Sequence, residues 1–162
     1  MTGGRLIGII SDTHGLLRPE ALHALRPSEL IIHAGDVGSA DVLERLEQIA
    51  PVVAVRGNVD TAAWADKLPM TAAIEAGEGR IWVLHDLGKL DIDPIRGGFR
   101  TVIYGHSHKP AQGIKEGVLY LNPGSAGPRR FHLPVSVIRA DFGAHPPAIR
   151  FLDLSTGKEF IP

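Results

Sequence analysis

Three short apolar runs in the first third of the chain each end on a residue able to bind a cation, and this recurrence constrains the fold more than any other feature. Leu6-Ile7-Gly8-Ile9-Ile10 runs into Ser11-Asp12-Thr13-His14-Gly15. Leu30-Ile31-Ile32-His33-Ala34 ends at Gly35-Asp36, and Val52-Val53-Ala54-Val55 ends at Arg56-Gly57-Asn58. Continuous runs rich in β-branched residues, without polar alternation, read as strands buried on both faces. Between the first two runs, Pro19 suits a first helical turn and Glu20 to Leu25 are helix formers. Between the next two, Ser39 or Asp41 is placed to cap a helix in which Val42, Leu43, Leu46 and Ile49 recur at helical spacing. Strand and helix thus alternate, which predicts a largely parallel sheet with crossover helices.

The second half has a different rhythm. Met70 to Ala76, Arg80 to Leu84, Thr101 to Tyr104, Gly117 to Leu121, Val135 to Phe142 and Ile149 to Leu154 all read as strands. One modest helix is expected, around Asp91 to Ile95. No repeat or linker divides the chain, so residues 1–162 are expected to form one domain. Two packed mixed β-sheets flanked by helices, an α/β sandwich, satisfy both halves.

Composition closes off several functions. The formal net charge of -1 gives no basic excess for an extended nucleic-acid surface. There is no cysteine, so disulfides and thiolate ligands are excluded and any metal must be held by nitrogen and oxygen. No apolar run reaches membrane-spanning length, and the first is too short for a signal segment. The expected location is the cytoplasm, away from membranes.

The polar residues at the strand ends form a chemically coherent set. Asp12, His14, Asp36 and Asn58 follow the first three strands. His85 follows Ile81-Trp82-Val83-Leu84, and His106 and His108 follow Val102-Ile103-Tyr104-Gly105. Ligand sites in such sheets gather beyond the carboxyl ends of the strands. Carboxylate with imidazole favours divalent manganese, iron, zinc or nickel. Seven ligands exceed one tetrahedral site and suit two metals sharing a carboxylate, an arrangement that stabilises both the attacking and the leaving oxygen of a phosphoryl displacement. Gly35, Gly57 and Gly105 each precede a ligand, where a missing side chain permits a tight turn. Asp36 can bridge because a carboxylate has two oxygens, and Asn58 adds a ligand without adding charge.

Ser11-Asp12-Thr13-His14-Gly15, Gly35-Asp36, Gly57-Asn58, His85 and Gly105-His106-Ser107-His108, in this order, resemble the signature of the calcineurin-like metallophosphoesterases. Gly57-Asn58-Val59-Asp60 and Asn122-Pro123-Gly124-Ser125 are similar to the small bacterial and archaeal phosphodiesterase branch, and the likeness runs from Leu6 to about Leu154. The resemblance implies two packed sheets flanked by helices and a dinuclear centre, with manganese the leading choice of metal. It places Asp12, His14 and His108 on one metal, Asn58, His85 and His106 on the other, and Asp36 between them. It further implies hydrolysis of a small phosphorylated substrate, a phosphodiester, by a hydroxide bridging the metals, with Asp36, Asn58 and His106 carrying catalysis. Many members of the wider superfamily have histidine where Val59 stands, and Val59 cannot protonate a leaving oxygen. The alternatives are a phosphomonoesterase with the same site, and a non-catalytic scaffold, for which relatives of this fold tend to have lost ligands.

The remaining candidates have humbler readings. His33 is expected to pack or hydrogen-bond near the site, and His23, His132 and His145 to be solvated. Asp60 is a candidate partner to the ligands or proton donor. Asn122 belongs to a loop bordering the site, and Arg129 and Arg130 are candidate phosphate contacts. Trp64 and Trp82 read as packing residues.

Overall fold

The computed structural model describes residues 6–77 and 79–162. Eleven strands form two sheets. The first holds β1 (Leu6–Ile10), β2 (Leu30–His33), β3 (Val52–Ala54), β9 (Ser136–Asp141), β10 (Ala148–Asp153) and β11 (Glu159–Phe160), in the order β11-β10-β9-β1-β2-β3. The second holds β4 (Thr71–Ala76), β5 (Gly79–Leu84), β6 (Phe99–Ile103), β7 (Ala111–Lys115) and β8 (Val118–Asn122), in the order β4-β5-β6-β8-β7. β1, β2 and β3 are mutually parallel, as are β5, β6 and β8, while the outer strands run antiparallel. Both sheets are therefore mixed, as the sequence predicts.

The sheets are joined through their inner faces. Ile7, Ile9, Ile32 and Ile138 from the first sheet pack with Ile74, Ile81, Val83, Ile103 and Leu121 from the second in one buried cluster. Alternate residues of the same strands, Ile10, Ile31 and Val137, turn outward and meet α1 (Pro19–Leu25) and α2 (Ala40–Glu47) through Ala21, Leu25, Val42 and Leu46. This double burial is the reason β1 and β2 are apolar at every position but the last of β2, His33. Pro19 opens α1 as expected. Ser39 occupies the cap position of α2 with extended backbone, yet its hydroxyl makes no capping bond.

Both α-helices cover the first sheet. The outer face of the second carries a smaller cluster, Leu84, Val102 and Val118, under Leu87 and Leu90 of a short 3-10 turn at Leu87–Lys89. The helix expected around Asp91 to Ile95 does not form. Asp93 Oδ1 accepts from Ile95 N at 3.0 Å, and a turn through Pro94 closes with Phe99 N donating to Pro94 O at 2.8 Å. Gly97 and Gly98 stop it after a single turn, since glycine is a weak helix former.

Two strands went unread in the sequence, and both lie at edges. β7 pairs with β8 alone, and four of its five residues are exposed, so no apolar pattern marks it. Its hairpin closes through Glu116 and Gly117, both at positive φ, the geometry whose twist matches a two-residue loop. β11 is two residues long and pairs only with β10. No helix among the described residues is long and apolar enough to cross a membrane.

Candidate metal centre

The parallel strands of both sheets end at the same pole, and there the structure brings all seven predicted residues together. Backbone bonds continue past the strands: Asp12 N donates to Gly35 O at 3.0 Å and His14 N to Asp36 O at 2.9 Å. Gly105 N donates to His85 O at 2.9 Å, joining the ends of β5 and β6. His106 N then crosses between sheets to Asp12 Oδ2 at 3.1 Å.

The chain makes these turns with ligand residues in unusual backbone conformations. Asp12, His14, Asp36, His106 and His108 have φ of 55°, 48°, 54°, 71° and 62°. Among the other described non-glycine residues only Glu116 and Phe131 share this region. The left-handed conformation costs about 1–2 kcal/mol for an L-residue, least for Asp, Asn and His. Such concentration at one place is a mark of functional sites. It also explains how Asp12 and His14 converge: the chain turns twice rather than continuing as a strand.

Two groups of ligand atoms result, Asp12, His14 and His108 in one, and Asp36, His85 and His106 in the other, with the atoms of each within 4.8 Å of one another. In the first, His14 Nε2 lies 3.2 Å from His108 Nε2, and His108 Nε2 lies 3.3 Å from Asp12 Oδ1. In the second, His85 Nε2 is 3.2 Å from Asp36 Oδ2, while Asn58 Oδ1 lies 3.1 Å from His85 Nε2 and 3.2 Å from His106 Nδ1. Ligand atoms about 2.1 Å from an ion lie roughly 3.0 Å apart at adjacent corners of an octahedron and roughly 3.4 Å apart in a tetrahedron. These spacings fall in that range, and the remaining pair of the first group, His14 Nε2 and Asp12 Oδ1, is wider at 3.8 Å.

Three further observations test the fit of cations. Asp12 Oδ1 is buried and has no hydrogen-bond partner, although Oδ2 accepts from Ser11 Oγ at 2.6 Å and His106 N. A buried carboxylate oxygen left unpaired is costly unless a cation faces it. His85 Nδ1 donates to Ala34 O at 2.7 Å, which fixes the ring and aims Nε2 into the site. Asp36 Oδ1 accepts from Val59 N at 3.0 Å, so Oδ2 alone points inward, 3.6 Å from His14 Nε2 and 3.2 Å from His85 Nε2. One oxygen of Asp36 thus faces both groups. Without a metal, His85 and Asp36 pair with each other. Burial alone would lower the His85 pKa, but the bond to Asp36, the charge of Asp12 and the bond to Ala34 O together outweigh it and raise it; Asp36 is lowered against its own burial by His85 and Val59 N.

The glycines before the ligands are required by close approach. A Cβ on Gly35 would come within 2.7 Å of the His85 ring. One on Gly57 would collide with the Asp36 backbone and carboxylate, and one on Gly105 with Ser11 Oγ and Asp12 Oδ2.

The supporting residues hold the loops rather than face the site's opening. His33 is fully buried; Gly35 N donates to its Nδ1 at 3.2 Å, which makes Nε2 the donor to Thr13 Oγ1 at 3.0 Å, and Thr13 Oγ1 donates to Val37 O at 2.8 Å. Burial drives its pKa down to about 4, so it is neutral. Asn122 is buried and donates to Gly105 O and Ser107 Oγ, both at 3.0 Å, bracing the His106–His108 loop. Ser125 Oγ, from the same Asn122-Pro123-Gly124-Ser125 segment, donates to Asp12 O at 2.9 Å. Asp60 accepts three backbone N–H bonds, an arrangement suited to bracing and not to proton donation. Arg129 donates to Ser155 Oγ at 2.7 Å, and Arg130 is exposed on the same loop. His23, His132 and His145 are exposed.

This fold and this polar pole are those of a metal-dependent phosphoesterase class. The family model of the calcineurin-like phosphoesterase superfamily domain matches residues 6–144, and the chain belongs to that superfamily. A probable metallophosphoesterase of Methanothermobacter thermautotrophicus is 38% identical over 149 residues, covering 84% of this chain and 86% of the relative. Among solved structures, zinc-complexed Vps29 of Entamoeba histolytica superposes with a TM-score of 0.79 at 22% identity, covering 96% of each chain. An archaeal phosphodiesterase superposes with a TM-score of 0.68 at 25% identity, covering 96% of this chain and 97% of that one. The family uses divalent metals, and the chain is a phosphoesterase of that kind.

Proposed function

We propose that the chain hydrolyses phosphodiesters at a dinuclear centre. Asp12, His14 and His108 would hold one ion, Asn58, His85 and His106 the other, and Asp36 would bridge them. The observation that carries this reading is Asp36 Oδ2, held inward by the bond from Val59 N to Oδ1 and facing both ligand groups. The nitrogen and oxygen donors suit manganese first, with iron, zinc or nickel as alternatives. When bound, such ions supply charge to the phosphoryl oxygens and acidify a water for attack.

The ligand charges favour a diester. Only Asp12 and Asp36 are anionic, and Asn58 and four imidazoles are neutral ligands. Two divalent ions in that set leave a charge of about +2, which one hydroxide and one diester monoanion neutralise; a monoester dianion leaves an excess negative charge. Of the nearby cations, Arg18 donates to Gly127 O at 3.0 and 3.2 Å and Arg129 to Ser155 Oγ. The exposed edge of the site is formed by Asn58, Val59 and His106, so substrate enters there. Val59 is 43% exposed and offers no proton, and good leaving groups are accordingly favoured. The archaeal neighbour, a phosphodiesterase, agrees with this reading. A complete ligand set favours an enzyme over a scaffold.

The test is turnover of bis-p-nitrophenyl phosphate against p-nitrophenyl phosphate by metal-stripped protein, with and without manganese, alongside metal content per chain. Metal-dependent turnover that favours the diester, with two ions bound, is expected. Two ions without turnover would support a scaffold, preference for the monoester would reverse the charge argument, and no bound ion would overturn the dinuclear reading.

A further inference from the structure

The loops after β2 and β3 are held together by two carboxylates, each satisfied by the backbone of the other's loop. Asp60 is 2% exposed. Its Oδ1 accepts from Gly38 N at 2.9 Å, and its Oδ2 accepts from Val37 N at 3.1 Å and Gly57 N at 2.9 Å. In return, Asp36 Oδ1 accepts from Val59 N at 3.0 Å. The clasp fixes the neighbours of two candidate ligands. Asn58 sits between Gly57, held by Asp60, and Val59, held by Asp36. Asp36 itself is left-handed at φ 54° and is followed directly by Val37 and Gly38, both held by Asp60. The contact between the loops is close enough that a Cβ on Gly57 would strike Asp36.

We infer that Asp60 is a positioning residue for one half of the centre. It sets the place of Asn58 Oδ1, which faces His85 and His106 alone, and so the affinity of the ion held with those two residues. The inference rests on the dinuclear reading above. The other half is built differently: Asp12 and His14 stand on the β1 turn, paired to Gly35 O and Asp36 O, and His108 stands on the loop braced by Asn122. Among the described residues, the hydrogen bonds of the Asp60 carboxylate go to Val37, Gly38 and Gly57 and to none of those three. Two ions of unequal dependence on Asp60 follow. Residues that orient ligands typically change metal affinity by about 10–100-fold when removed, and that range is expected for one ion only.

The experiment is calorimetric titration of the metal-stripped chain with manganese, comparing wild type, Asp60→Asn and Asp60→Ala. Asparagine keeps the size but presents an amide N–H₂ where a backbone N–H now donates. Leu46→Ala, a fully buried position on α2 that is none of the candidate ligands, serves as a generally destabilised control. Expected is a wild type with two binding events, of which one weakens at least 10-fold in both Asp60 variants while the other stays within threefold. Leu46→Ala should leave both nearly unchanged. Unchanged affinities in folded Asp60 variants would overturn the inference, as would equal weakening of both events. A wild type that binds no ion would overturn the dinuclear reading instead, which separates the two failures. Hydrogen exchange in the wild type gives a test independent of whether the variants fold. Ion binding should slow exchange in the peptide carrying Val37 and Gly38 and in the one carrying Gly57, because coupling between clasp and ion is reciprocal. Unchanged protection there on saturation with metal would overturn the inference.

Discussion

His33 gives the most quantitative prediction, because its role rests on its being neutral. The imidazole is fully buried, accepts from Gly35 N and donates to Thr13 Oγ1, and so ties β2 to the turn carrying Asp12 and His14. Its pKa falls from 6.5 to about 4, with burial the leading cause and Asp12 and Asp60 opposing it. The unfolded chain therefore binds a proton at His33 that the folded chain rejects between those values. Stability is full above pH 6.5 and falls as the pH drops toward 4. The loss is about 2 kcal/mol at pH 5 and about 3 kcal/mol at its limit. His33→Gln removes the titration while retaining an amide donor for Thr13. It should be less stable than wild type by about 1–2 kcal/mol at pH 7, through the disturbed hydrogen bonds. At pH 5 that gap should close or reverse. Urea unfolding of both metal-stripped proteins at the two pH values measures it, and the groups they share cancel in the difference. Wild type and variant losing stability in parallel from pH 7 to pH 5 would refute the argument.

Three other outcomes follow from the site. Asp36→Ala removes the oxygen that faces both ligand groups and should abolish metal-dependent turnover with the fold retained; unchanged turnover in the metal-loaded variant would refute the bridging role. Val59→His restores an imidazole beside Asn58 and should raise turnover of diesters with poor leaving groups by up to about 10²-fold and good ones much less; equal gains for both would remove the case for a missing acid. Manganese at about a hundred times its dissociation constant should stabilise the stripped protein by about 2.7 kcal/mol per site, seen as a rise of several degrees in Tm. A Tm indifferent to manganese would contradict binding to the folded state.

Much of the architecture could be read along the chain. β1, β2 and β3 and the core strands of the second sheet announce themselves as apolar runs, because burial on two faces leaves little room for polar residues, and both α-helices show as helix formers or as apolar residues at helical spacing. The ligand types and their places after those runs were equally legible, as was the metal-dependent phosphoester chemistry they imply. The edge strands β7 and β11 were not, since an exposed edge needs no apolar pattern. The helix expected at Asp91 to Ile95 failed because local propensity suggested a turn of helix that Pro94 and two glycines confine to one turn.

What the tertiary structure alone decided is the geometry of the centre. His14 and His108 meet across 94 positions, a pairing that no local pattern encodes. The left-handed turns at five candidate ligands arise where strand ends of two sheets must aim side chains at one place. Only the fold could turn a single oxygen of Asp36 toward both groups and make Asp60 a clasp, because each depends on backbone N–H groups brought from the loop beyond another strand. Sequence determines which donors exist and where strands stop; the distances and directions that make those donors a site come from how the two sheets pack.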